Sequence, residues 1–151
     1  MHNVVISDTS SLILLKNIGR LELFHSVYDT VIITPEIKAE LNEDIPDWIK
    51  VRSAKDKKYQ VFVETQVDIG EASAIALAME INDVLIILDD LKARNLANKL
   101  KLKITGVLGV VNRAKQIGVI DKVKPIIDDL LKTNFRIAPQ IIDEMLRLND
   151  E

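Results

Sequence analysis

A chain of 151 residues and 17.0 kDa, 48% hydrophobic and 28% charged, is long enough for one domain with a real core and too apolar to be disordered. With no cysteine it has no disulfide, no thiol chemistry and no Cys-bearing zinc site. The net charge of -3 hides an asymmetry, because residues 92 to 136 hold eleven Lys and Arg against three acids, which leaves the rest of the chain strongly acidic.

The chain alternates between two kinds of element. Asn3 to Ser7 reads as a strand, and Ser10 to Ile18 as a helix with Ser/Thr caps before it and Gly19 after it. Leu21 to Val27 reads as a short second helix and Val31 to Ile33 as a strand. Thr34-Pro35 is a helix start, with Thr as cap and Pro at the first helical position, and that helix runs to about Asn42. Asp44 to Trp48 is a loop punctuated by Pro46. Ile49 to Glu64 has no clear period, and Val61-Phe62-Val63 within it reads as a short strand or a helix end.

Gly70 precedes an Ala-rich helix from Glu71 to about Asn82, followed by a strand from Val84 to Leu88. Asp90 to Leu100 is a helix, Lys103 to Thr105 a strand, and Val107 to Ile117 a helix closed by Gly118. Lys122 to Leu131 and Pro139 to Leu148 are the last helices, with Phe135 to Ile137 extended between them. Strands separated by helices imply crossover units and a mostly parallel sheet. The expected architecture is a single three-layer α/β/α domain over 1–151, with 119–151 a helical extension packed on it. No apolar stretch approaches the length of a membrane span. Met1 leads at once into a strand-like run without a basic segment, so no signal peptide is expected and a cytoplasmic location is the default.

Acids collect at the mouths of the apolar runs. VVIS ends in Asp8, VLIIL ends in Asp89-Asp90, VIIT leads to Glu36 and Glu40, and Glu71 opens the Ala-rich helix. In open α/β sheets ligands bind at the carboxyl ends of such strands. Several carboxylates there, without cysteine and almost without histidine, point to a hard cation such as Mg²⁺ or Mn²⁺. Each acid also has a plain explanation. Asp8 suits an Asx turn or helix cap, and Glu36 and Glu71 lie in first turns that favour a carboxylate. Glu40 lies deeper on its helix, which favours it over Glu36 as a ligand; its plain reading is a solvent-facing side chain beside Lys38. One of Asp89 and Asp90 caps the next helix; the other is surplus, and repels its neighbour unless a cation intervenes.

The basic stretch then suits a nucleic-acid backbone, with Lys92, Arg94, Lys99 and Arg113 as candidate contacts and Ser10 beside the acids. The alternatives are solvated helix faces, and for Arg94 an ion pair with Asp90 one turn away. Other chemistries fail on inventory. His2 and His25 have no triad context, and neither G-x-x-x-x-G-K-S/T nor G-x-G-x-x-G occurs. A haloacid-dehalogenase-like phosphatase expects Asp-x-Asp after the first strand, where Ser10 stands instead.

The ordered blocks VVISDTSSLI, TPEIKAEL, DIGEASAIALA and LIILDDLKARNLANKLKLKITG resemble the PIN-domain nucleases, including VapC-type toxins. The tail from Gly106 to Leu148 resembles a particular prokaryotic PIN-like branch. The resemblance implies a metal-dependent endoribonuclease whose four acids fall on Asp8, Glu40, Glu71 and Asp90, with Asp89 beside the last and one or two Mg²⁺ or Mn²⁺ ions held among them. It also implies RNA as substrate, a small antitoxin as partner and a homodimer. One position departs from the pattern, since Leu88 stands where many members carry Thr or Ser. That departure implies the alternative, a catalytically weak PIN-like module that binds RNA or a partner.

Overall fold

The computed structural model describes residues 3–151. His2, set aside above as a triad member, lies outside them. Five parallel strands form one sheet in the order β3-β2-β1-β4-β5. They are β1 (Val4–Ser7), β2 (Thr30–Ile33), β3 (Ile49–Val51), β4 (Val84–Ile87) and β5 (Lys103–Thr105). The helices are α1 (Thr9–Asn17), α2 (Glu22–Val27), α3 (Pro35–Leu41), α4 (Lys57–Val63), α5 (Ile69–Ala78), α6 (Leu91–Lys99), α7 (Val107–Gln116), α8 (Lys124–Leu131) and α9 (Pro139–Leu148). They cover both faces of the sheet, giving the expected three layers.

The central strands are continuous apolar runs because both of their faces are covered. Val5, Ile6, Ile33, Ile86 and Ile87 have essentially no solvent exposure. Each such side chain contributes about 1.5–3 kcal/mol relative to an exposed one. The two edges, β3 and β5, are only three residues long and carry Lys50 and Lys103. Short strands with charge on them discourage pairing with a second chain.

The stretch from Ile49 and the Ala-rich helix differ in detail from expectation. The stretch from Ile49 contains β3, which has no apolar run because only Ile49 is buried while Lys50 and Val51 face solvent. Of the two readings of Val61-Phe62-Val63 the helix end holds: they close α4, where Asp56 accepts from the Tyr59 N–H at 3.0 Å and starts the helix. The Glu80 carboxylate accepts the N–H groups of Lys55 and Asp56, fixing the loop that enters it. Phe135 to Ile137 connects α8 to α9 outside any helix or strand. The Ala-rich helix starts two residues earlier than expected, at Ile69, and ends at Ala78. Nearly all of it is buried, since small side chains let it lie close to the sheet. Gly19 and Gly118 take positive φ (71° and 83°) just after α1 and α7, which is how those helices stop.

The C-terminal segment is fastened by Asn149, whose Nδ2 donates to Asn112 Oδ1 at 2.8 Å, and above all by Glu151. Glu151 accepts from the Val123 N–H at 2.9 Å and the Lys124 N–H at 3.0 Å, and pairs with Lys115 Nζ at 2.7 Å. It thereby serves the first turn of α8, whose own cap residue makes no side-chain bond. Burial alone would raise this carboxyl, but Lys115 and the two N–H groups outweigh it and hold it down at about 2. Glu151→Ala is expected to cost about 2 kcal/mol, read as a Tm lower by about 5 °C. Because the folded group is more acidic than the unfolded one, this contribution is full above the ordinary 4.5 and is lost as pH falls toward 2. The difference between wild type and variant should therefore shrink in acid.

Candidate active site

The strand order reverses between β1 and β4, and that crevice is where an open parallel sheet presents a ligand site. β1 delivers Asp8 there and β4 delivers Asp89 and Asp90. The Asp8 N–H donates to the Ile87 carbonyl at 3.1 Å. Its Oδ1 accepts from the Ser11 N–H at 2.9 Å, capping α1, and its Oδ2 accepts from the Asp89 N–H at 2.8 Å. One buried carboxylate thus caps a helix and stitches β1 to the end of β4.

Burial pushes the Asp8 carboxyl above its ordinary 3.8. The Ser11 hydroxyl and the two N–H groups oppose that rise without cancelling it, and the nearby Asp89 carboxylate adds to it. The hydroxyl lies close enough to favour the charged form without itself meeting hydrogen-bond geometry.

Asp90 is the cap of α6, accepting from the Ala93 N–H at 3.0 Å. Asp89 is the surplus acid. Glu40 projects from α3 to accept a hydrogen bond from Thr9 Oγ1 at 3.3 Å. Glu36, one turn earlier, faces away, bonded by Gln60 Nε2 and 3.9 Å from Lys57 Nζ on α4. Glu71 stands in the first turn of α5. A cavity of about 230 Å³ is lined by Asp8, Thr9, Ser10, Glu40, Asp68, Glu71, Asp89 and Asp90.

Six of those eight residues are acids. Among the described residues none of the six is ion-paired with a Lys or Arg. The consequence is visible at Glu71. Burial, followed by the charges of Asp90 and Asp68, raises its carboxyl from 4.5 to about 7; the Asp68 N–H opposes the rise slightly, and Asp8 adds a little to it. The site therefore stores negative charge that the protein does not neutralise.

Asp68 and Thr9 were not singled out from the sequence. Asp68 occupies the cap position of α5 but its side chain makes no cap bond, leaving its carboxylate at the cavity. An acid three residues before Glu71 at a helix mouth was the available signal. Of the candidate substrate contacts, Ser10 lines the cavity. Lys92 and Lys99 are exposed on α6. Arg94 does not pair with Asp90, whose carboxylate is turned to its own helix. Instead Arg94 Nη1 donates to the Leu88 carbonyl at 2.8 Å, bracing the end of β4. Arg113, on α7, lines a separate cavity with Tyr28, Thr105 and Asn112. Leu88 is fully buried, its side chain given to the core and its N–H to the Thr105 carbonyl at 3.1 Å.

A PIN-domain family model matches residues 4–151, nearly the whole chain. The chain belongs to the PIN-domain family. No curated protein gives a significant match. PIN domains are generally nucleases and typically use divalent metals. This PIN domain offers an oxygen-only, uncompensated donor set, which fits a hard divalent cation in kind. As the side chains stand, no three acids among the described residues are grouped closely enough to hold an ion.

Proposed function

We propose that this PIN domain is a metal-dependent endoribonuclease. The observation that carries the reading is the collection of six acids around one cavity at the sheet's reversal point, with no paired base among the described residues. Asp8, Glu40, Glu71 and Asp90, with Asp89 alongside, would hold Mg²⁺ or Mn²⁺. The ion would supply an activated water and offset charge on the scissile phosphate. The chain's own part is positional. Asp8, at the cavity wall, is fixed by two N–H groups and would meet an ion without first being ordered. Ser10 and Thr9 place hydroxyls at the cavity wall, where a phosphate oxygen would lie. Lys92 and Lys99, exposed on α6, would meet the RNA backbone, which predicts weaker binding as salt rises, whereas Arg94 braces β4 and Arg113 lies at a separate cavity. Action as a toxin, control by a small antitoxin and assembly as a homodimer belong to the same proposal and rest on family resemblance.

The test is cleavage of single-stranded and structured RNA with and without Mn²⁺, using Asp90→Asn as control. Asn caps helices about as well as Asp, so α6 should survive and the Tm should change little. Activity is expected to fall at least about 100-fold, the scale for removing one charge-stabilising group. Equal activity in the variant would assign the cleavage to another site or a contaminant. A second reading, an RNA- or partner-binding module without turnover, is favoured by Leu88, whose side chain is given to the core where many members carry a hydroxyl. Metal-dependent turnover by wild type excludes it.

A further inference from the structure

We infer that Gly70 is the residue that admits Glu40 to the acidic cavity, a positioning role that rests on the metal-site reading above. A Cβ placed on Gly70 would lie 1.7 Å from Glu40 Oε1 and 2.9 Å from its Cδ. The carboxylate occupies the volume that any other residue's side chain would fill. Nothing in the backbone asks for glycine there, because Gly70 is not at positive φ and sits in the first turn of a helix. Glycine is the poorest helix former after proline, so its presence in α5 calls for a reason of this kind.

The space is held open from both sides. Ser73 Oγ donates to the Gly70 carbonyl at 2.6 Å and meets Thr34 Oγ1, the cap of α3, also at 2.6 Å. These buried contacts pin the backbone of α5 against α3, the helix that carries Glu40. Thr9 Oγ1 holds the carboxylate from the α1 side. A methyl group at position 70 leaves this frame intact and evicts only the end of a flexible side chain. Glu40 then swings outward, and the cavity loses one acid without losing the fold.

Two sets of melts test this. Without metal, Gly70→Ala is introduced into wild type and into Glu40→Ala. Better helix propensity should raise the Tm in both backgrounds. The rise should be larger by about 2 °C where Glu40 is already absent, since eviction from a preferred position has a cost that an empty space does not. With MnCl₂ added, wild type should gain Tm, and Gly70→Ala should lose most of that gain and need at least tenfold more Mn²⁺ to reach it. Equal rises in the two backgrounds, or an unchanged Mn²⁺ response in Gly70→Ala, would overturn the role of Gly70. A wild type that ignores Mn²⁺ overturns the metal reading instead, and the metal-free cycle then decides Gly70 alone.

Discussion

Glu71→Gln is expected to make the metal-free protein more stable at pH 8 while removing its nuclease activity. The carboxyl of Glu71 is pushed up to about 7 from an ordinary 4.5, by burial and then by Asp90 and Asp68. The folded state therefore binds this proton more tightly than the unfolded state does. Stability conferred in acid is lost as pH rises from about 4.5 through about 7, and is flat beyond. The full shift corresponds to about 3 kcal/mol, and since Glu71 is only part-buried, screening leaves about 1–2 kcal/mol. Glutamine has the same shape and no charge, so it escapes that loss. Denaturant titrations at pH 5 and pH 8 should show a slope with pH in wild type that largely vanishes in the variant. Activity with Mn²⁺ should fall at least about 100-fold. A variant less stable than wild type at pH 8 would mean that Glu71 is held by contacts rather than crowded by charges.

Asp8→Asn should abolish activity as well, but with the opposite effect on stability. Both carboxylate oxygens accept backbone N–H groups, one from Ser11 and one from Asp89. Asparagine has one acceptor oxygen, so its amide N–H₂ must face a buried donor. Leaving that donor unsatisfied costs about 1–3 kcal/mol, offset in part by removing a desolvated charge. The expected net loss is about 1–2 kcal/mol, with cleavage falling about 1000-fold. The Asp89 amide should exchange its hydrogen faster, since that bond joins the ends of β1 and β4. Two inactive variants that move stability in opposite directions would separate an acid that builds the fold from one that only crowds the site. A stabilised Asp8→Asn would remove the stitching role.

Much of this was legible in the sequence, for a reason that also marks its limit. The central strands are apolar runs because both faces are covered, and the acids after them follow directly in the chain. Asp8, Asp89 and Asp90 could therefore be placed at strand ends from local pattern alone. Glu40 was preferred to Glu36 by helix depth, and it is Glu40 that reaches the cavity. What stayed hidden depends on contacts between distant segments. β3 buries one side chain and pairs through its backbone, which leaves no apolar signature. Asp68 looked like an ordinary residue before a helix because only the folded chain shows that it caps nothing. Gly70 read as punctuation before a helix, whereas it lies inside one with the carboxylate of a different helix against it. The bond of Arg94 to a strand carbonyl was hidden for the same reason, since along the chain the residue offers only an RNA contact or, alternatively, an ion pair with Asp90.

The stitch between Asp8 and Asp89 spans 81 residues of chain. Parallel pairing of β1 with β4 cannot begin until that whole stretch has been synthesised, and such long-range contacts form slowly. During translation the first acid therefore waits, its second oxygen without its final donor. The cavity comes into being only when the segment ending in Asp90 docks against the first strand. A growing chain is thus without this site for more than half of its length, and assembly of the sheet is the step that arms it.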